Sequence, residues 1–534
     1  ATVFREQLPT GLAVPTYGVV LGAAGSVLSG LAGAAWPAWR ASNMSPLGAL
    51  ASRASAPKGR GLILITLAGL VLLAYQSGVI GLNHDGQLMF WMYATSGLPG
   101  MFLGYFLLGV PAMLLAVVLL ARPLSAMLGL PRHLLARTIQ ATPYRHGFTA
   151  GALMGGLALM VGIWTSGGSV LRDWLGKIQF PDAFVSGLNL TEQDQHRLDE
   201  MTDIVKRTCA ITLHPVETDI FGVRALQKYK TTFVAFEPEA FFQICKLTWV
   251  QGDPETALRR LKQGGAVIVA REFLTAQGLG EGKQFTCRQD GVEHRFEIVG
   301  VVASPGLEIV SKFFNVGEDY TDQAIHAVFG TREDLKAKFF GGTDPAPIQL
   351  IQIQFADSVK PGADELALDR IRERLLGSGV LDVGSGRQIK DQITTFATGT
   401  LLAVSAVAMV AMVVASIGVA NLIAAGIDSR QFEFGVLRAV GAQRGLLARL
   451  IMAEALIIAL TAAAMGTLMG LQGSWADQRL NALLLGMSLH PRPPLGAIAA
   501  AWSITIGLTL AAAWPSIWRL NRRGPRELLS AIRG

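Results

Sequence analysis

Charge is scarce in this sequence. Of its 534 residues only 16% are Asp, Glu, Lys or Arg, against the roughly 25% usual for soluble domains, while 51% are hydrophobic. Such a balance excludes a single water-soluble globule of even composition, and the charge is far from evenly spread. Between Ser169 and Phe396 lie 32 of the 39 acidic and 26 of the 46 basic residues, an ordinary soluble composition of net charge −6. The flanks hold the remaining 7 acids and 20 bases, so all the excess positive charge lies there.

Cysteine is also scarce. Cys209, Cys245 and Cys287 all fall in the polar stretch, and no CxxC pair occurs. One disulfide is open to them if that stretch lies outside the cytoplasm; isolated buried thiols are the other reading. The eight histidines are scattered with none at ligand spacing, and HExxH and GxSxG are missing, so no metal is expected. Gly278-x-Gly280-x-Gly282 opens no βαβ unit, and Lys283 is followed by Gln284. These are tight-turn glycines, not a phosphate loop. The basic loops lack interleaved aromatics, which leaves no nucleic-acid signal.

Long apolar runs are what the chain does have. A membrane-crossing helix needs about 20 apolar residues, and seven windows satisfy this: 13–36, 62–80, 101–121, 147–168, 398–427, 447–472 and 495–517. Small residues four apart (Ser26 and Gly30, Gly151 and Gly155, Gly466 and Gly470) suit close helix packing. Loop charge then sets the orientation. Arg40, Arg53, Lys58 and Arg60 follow the first window, and Arg122, Arg132, Arg137 and Arg145 the third. Arg430, Arg438, Arg444 and Arg449 follow the fifth; Arg519, Arg522, Arg523, Arg526 and Arg533 end the chain. The alternate loops are nearly bare: 81–97 has no Lys or Arg, and 474–494 has only Arg479 and Arg492. The positive-inside rule therefore places the N-terminus and the polar domain outside and the C-terminus inside.

An internal repeat is expected. Ala34-Ala35-Trp36-Pro37 ends the first window and Ala512-Ala513-Trp514-Pro515 the last, each followed by Arg and a second Pro. Trp at the interface and a Pro that stops or kinks the helix make one design used twice. The first ten residues read as a loop entered in mid-protein, so the chain is expected to be a piece of a longer one.

Between the fifth and sixth windows runs Arg430-Gln431-Phe432-Glu433-Phe434-Gly435-Val436-Leu437-Arg438-Ala439-Val440-Gly441-Ala442. Phe434, Leu437 and Val440 recur at helical spacing and Gly441 can end the helix, which predicts a short amphipathic helix on the membrane surface. Its plainest use is as an interfacial anchor. Glu454 lies within the sixth window, where an ionisable group normally has a partner or a role. Pairing with Arg449 or Arg438 is expected in preference to ion transport.

Here the chain resembles the FtsX/MacB family of ABC-transporter permeases, whose R-x-x-E-x-x-x-L-R-A-x-G-A signature is matched at Arg430, Glu433, Leu437, Arg438, Ala439, Gly441 and Ala442, with Glu454 in the next helix. The resemblance extends to 264–270 and 296–302, read as strands about a short helix (272–277) and a glycine turn, as in MacB periplasmic core domains. It implies an α-helical transmembrane bundle with seven spans and one α+β extracytoplasmic domain of MacB periplasmic-core type. Residues 1–60 would hold the last helix and tail of a truncated first module, and 61–146 two linker helices. A first helix (147–169), the outside domain (170–395) and a three-helix permease domain (396–534) would form the second module, its coupling helix at about 429–443. The ends of the outside domain are expected to continue the spans as helices, through Leu171 to Leu175 and from Ile393, Phe396 and Leu401.

The implied role is the bacterial inner-membrane permease subunit of an ABC system, not itself an enzyme, with no cofactor in this chain. A separate cytoplasmic ATPase would hold ATP and Mg and engage the coupling helix (Arg430, Glu433, Phe434, Leu437, Arg438, Gly441), with Glu454 as intramembrane support. The other implied partners are the lipid bilayer and a second module in a dimer or pseudo-dimer. Outputs of two classes stay open: export or extraction of lipoprotein, lipid, peptide or drug, and mechanical signalling to an extracytoplasmic protein such as a cell-wall hydrolase. An adjacent ATPase gene would support the family reading.

Overall fold

The computed structural model describes residues 16–43, 59–82, 85–131, 133–173, 181–221, 230–245, 247–303, 326–342, 348–359, 364–524 and 527–528. Two units are distinguished, 1–57 and 58–534. In the first, α1 (Thr16–Ser42) is a 27-residue apolar helix. Pro37 lies inside it and does not stop it; the side chains of Trp36 and Pro37 are outside the described residues, as are Ser45 to Leu47.

In the second unit α2 (Gly59–Leu82), α3 (Gly86–Leu128), the short α4 (Leu134–Ala141) and α5 (Pro143–Asp173) precede the polar stretch. With α1 and three later helices, seven helices among the described residues are long and apolar enough to cross a membrane. Segment 81–97, expected as a loop, is mostly helix: α3 begins at Gly86 and carries a π-helical stretch at Tyr93–Gly97. Its sequence Gly86-Gln87-Leu88-Met89-Phe90-Trp91-Met92 is apolar enough to join the helix that follows it. Asp85 caps its N-terminus by accepting from the Gln87 amide at 2.9 Å.

Glycine sets how closely these helices meet. A Cβ at Gly147 of α5 would lie 2.5 Å from Val110 Cα of α3, and Cβ atoms at Gly466 and Gly470 would lie 2.7 Å from the Met154 and Ala158 carbonyl oxygens of α5. Such small residues let helix backbones approach closely. Of the other expected pairs, Gly151 packs on Phe106, whereas a Cβ at Gly155 or Gly30 would meet nothing within 4 Å among the described residues. Polar contacts add to the joint: Gln472 donates to Gln76 at 2.6 Å and accepts from Tyr105 at 2.7 Å.

The polar stretch is an α/β domain built on a ten-stranded mixed sheet. Its strands are β1 (Ala183–Leu190), β2 (Val205–Glu217), β3 (Lys230–Phe236), β4 (Thr248–Gln251), β5 (Ala266–Ala270), β6 (Gln284–Gln289), β7 (Val292–Ala303), β8 (Ala327–Thr331), β9 (Ile348–Phe355) and β10 (Gly379–Ser385). They run in the order β10-β1-β9-β2-β3-β8-β5-β7-β4, with β6 paired to β2 and β7. β3–β8 and β5–β7 are parallel; the other pairs are antiparallel. β5 is buried along its whole length, which is why it reads as a continuous apolar run rather than an alternating one. Helices α6 (Glu192–Asp199), α7 (Pro238–Ile244), α8 (Pro254–Gln263), α9 (Arg271–Gln277), α10 (Arg332–Phe339) and α11 (Asp364–Arg374) cover the sheet. All three cysteines are free and buried, so the disulfide reading is set aside.

The domain's two ends are neighbours. Ala183 at the start of β1 pairs with Ser385 at the end of β10. Ser385 then caps α12 (Gly386–Ser429), its hydroxyl and the Gln388 side chain forming a capping box. α12 runs 44 residues without a break, about 66 Å at 1.5 Å per residue. α5 ends at Asp173; residues 174–180, where its continuation was expected, are outside the described residues. After α12 come α13 (Gln431–Ala439), α14 (Arg444–Leu485) and α15 (Leu495–Arg522). Pro515 lies inside α15 and does not end it. A proline removes one hydrogen bond, and the helix continues past it when packing on its neighbours offsets that loss.

Candidate functional site

α13 is bounded by local chemistry. Gly441 takes φ 104°, and its amide donates to the Arg438 carbonyl at 3.1 Å while the Ala442 amide reaches the Leu437 carbonyl at 2.9 Å. That is a Schellman ending, which needs a residue tolerant of the left-handed region. The short loop then releases α14 at Arg444.

Its faces differ from the expected stripe. Phe434 is buried and Leu437 packs against the helical core, but Val440 is 84% exposed. The reason is its place: Val440 is the C-cap, where the chain already leaves the helix. Phe432, Val436 and Val440, four residues apart, instead form an outward apolar stripe beside exposed Glu433.

Both ends of α13 are fastened. Arg430, at its N-cap, places Nη2 at 3.1 and 3.2 Å from the two oxygens of Glu454 on α14, and its Nε donates to the Gly426 carbonyl at 3.3 Å. Glu454 is only 5% exposed. At the other end buried Arg438 donates to the carbonyls of Asn521 and Arg523 at the end of α15. Those carbonyls have no intrahelical partner, so a cation there suits both the hydrogen bonds and the helix dipole.

Glu454 therefore pairs with neither residue expected from sequence. Arg449 donates to Gly445 and Leu128 carbonyls, because five residues turn a helix by about 500° and put the two side chains on different faces. The Glu454 carboxylate meets His146 instead: Nε2 lies 3.1 Å from Oε1, and Thr142 Oγ1 is 3.2 Å from the same nitrogen. Next to His146, Arg145 donates to the Leu422 carbonyl of α12. A cavity of about 10 Å³ lies among Arg145, His146, Arg430 and Glu454, the room of about one water. Sequence reasoning counted Arg145 only as loop charge and His146 only as scattered; the sole signal was a basic pair directly before a glycine-rich run. Trp514 is exposed, and Arg522 stacks 3.6 Å over exposed Trp518. Among the described residues no cluster of His, Cys, Asp and Glu suits a metal.

The arrangement joins α13 to three long helices, α5, α14 and α15, through the Glu454 carboxylate and the Arg430 and Arg438 guanidiniums. A sequence model of the FtsX-like permease C-terminal domain matches residues 405–525, which include Arg430, Arg438 and Glu454 but not His146. A macrolide export ATP-binding/permease protein MacB of Agrobacterium fabrum is 31% identical over 121 residues, 23% of this chain and 19% of that protein. An ABC transporter permease protein of Mycobacterium tuberculosis is 23% identical over 469 residues, 83% of this chain and 50% of that protein. The crystal structure of the periplasmic region of MacB from Actinobacillus actinomycetemcomitans aligns with 40% of this chain and 94% of its own at 12% identity, with a TM-score of 0.27, too low to bear on the fold. The chain thus spans about a fifth to a half of the length of these curated relatives. Residues 405–525 thus match the FtsX-like permease C-terminal domain, and the chain is similar to MacB-type and other ABC permease proteins.

Proposed function

We propose that this chain is the permease subunit of an ABC system in a bacterial inner membrane. A separate cytoplasmic ATPase, which binds ATP and Mg, docks on α13, and the α/β domain works outside the cytoplasm. The observation that carries this is the contrast between the two faces of α13. Arg430 and Arg438 tie its inner side to α14 and α15, while Phe432, Glu433, Val436 and Val440 are left outward. A helix meant only to anchor in lipid has no need of a charged group among its apolar contacts. A helix meant to dock on a protein does, because a charge selects the partner and its register.

Movement of α13 passes through Arg430 to Glu454 and thence to His146. The carboxylate thus couples α14 to the start of α5, whose opposite end leads toward the α/β domain. α12 provides a second path, since β10 runs directly into it.

The reading is tested by purifying the chain with candidate ABC ATPases and measuring complex formation and ATP turnover. Phe432→Asp with Val436→Asp should abolish the complex while the permease stays folded. An unchanged complex would refute the docking face. Stimulation of turnover by a purified lipoprotein, peptide or drug would assign an export role. Stimulation only by an external protein, with nothing displaced, would assign signalling.

A further inference from the structure

At the opposite end of α14 from Glu454, the helix meets the α/β domain. Gly486 is the left-handed residue that ends α14, with φ 68°. A Cβ there would fall 2.0 Å from the Glu272 carbonyl oxygen and 2.6 Å from its Cα. The first turn of α9 therefore rests backbone to backbone on the end of α14, a contact that only glycine permits. Met487 and Leu489, just beyond, are buried. The His490 amide donates to Asp173 Oδ2 at 2.7 Å, and Ser169 Oγ donates to the His490 carbonyl at 3.2 Å. The loop leaving α14 is thus bound to α5 as well as to the domain.

The seat contains an incompletely partnered buried carboxyl. Glu272 is 3% exposed, and among the described residues its Oε2 has no hydrogen-bond partner; Arg271 Nε beside it is also buried without one among them. Burial pushes the Glu272 carboxyl up from its ordinary range, opposed by its own backbone amide and by Arg271. A carboxyl buried without a full set of partners costs free energy for as long as the contact lasts. That cost disappears when α9 lifts into water.

We propose that α14 bears directly on the α/β domain through a separable seat, Gly486 against the first turn of α9, with Glu272 as the positioning residue that keeps the seat breakable. Resting on the reading of the domain as the moving part, this gives it a drive distinct from α5 and α12. Thirty-two residues separate Glu454 from Gly486, about 48 Å of one helix, so the same rod carries the α13 joint at one end and the seat at the other.

Hydrogen exchange of the full chain in lipid nanodiscs tests the seat without nucleotide. Gly486→Asn tolerates the left-handed backbone but adds the clashing Cβ. It should raise exchange at 271–277 at least tenfold and leave β5 unchanged. Glu272→Gln removes the buried charge and should slow exchange at 271–277 at least threefold. Unchanged exchange in Gly486→Asn, or exchange in Glu272→Gln equal to or faster than the parent, overturns the proposal; if Gly486→Asn does not fold, Glu272→Gln alone decides. Seat behaviour as stated, with no response of 271–277 to ATP and the ATPase partner, would count against the coupling reading and leave the seat standing.

Discussion

His146 and Arg430 converge on the same oxygen, each 3.1 Å from Glu454 Oε1, although they belong to segments 284 positions apart in the chain. One carboxylate therefore binds the N-cap of α13 to α14 and α5 together. Truncating Arg430 to Ala leaves that carboxylate buried with one partner fewer. Losing one member of a buried pair costs about 3–5 kcal/mol, and the low end is expected because Arg430 keeps some exposure. Thermal unfolding in detergent should show the loss. A double-mutant cycle on His146→Ala and Glu454→Gln should give a coupling of at least about 0.5 kcal/mol; simple additivity would mean the contact transmits nothing.

The outward face of α13 should behave in the opposite way. Phe432→Ala and Val436→Ala remove exposed atoms and should shift stability by less than about 0.5 kcal/mol. Affinity for the ATPase should nevertheless fall by at least tenfold, since an apolar anchor at an interface is worth more than about 1 kcal/mol. Phe434→Ala, which opens a buried site, should lose stability by about 3 kcal/mol or more. Unfolding curves and a binding titration on the same variants separate the two classes.

Two glycines in one helix give an internal control. Gly147→Ala drives a methyl to 2.5 Å from Val110 Cα and should destabilise the helical unit by about 1–3 kcal/mol. Gly155→Ala meets nothing and should be neutral or slightly stabilising, because alanine favours helix. Thermal denaturation of the pair should separate them clearly.

The thiols should be inert. Burial pushes Cys245 and Cys287 up to about 12, and Cys209 is raised as well, with Cys245 nearby adding to it. Near neutral pH the reactive thiolate is therefore almost absent. Maleimide should label none of the three in the folded chain and all three after denaturation, and reductant should leave gel mobility unchanged. Labelling of the native chain would contradict the packed sheet described above.

What could be read from sequence was what depends on local pattern. β5 is a bounded apolar run, α12 a long apolar stretch, and Gly441 a stop signal placed after a helical period. Glu454 announced itself by being the one acid in its run. Its partners did not, because Arg430 and His146 reach it only through the packing of three helices. The outward face of α13 is not legible for a similar reason: Phe434, Leu437 and Val440 recur at helical spacing, but only tertiary contacts decide which side is buried. Of the two effects expected of Pro37 and Pro515, a stop or a kink, the stop does not occur, since a propensity weighed alone omits the packing that overrides it. The Gly486–Glu272 seat joins residues 214 positions apart and leaves no trace in either segment.

If an ATPase docks at α13 as proposed, its action moves the α/β domain. Spin labels at Gln263→Cys on that domain and Arg519→Cys near the end of α15, both exposed positions, would report the distance between them without interference from the buried native thiols. With the ATPase partner bound, ATP should shift the distance distribution in the parent, and Phe432→Asp with Val436→Asp should abolish the shift. A distribution that ATP leaves unchanged in the parent, or a shift that persists in the docking-face variant, would contradict the account.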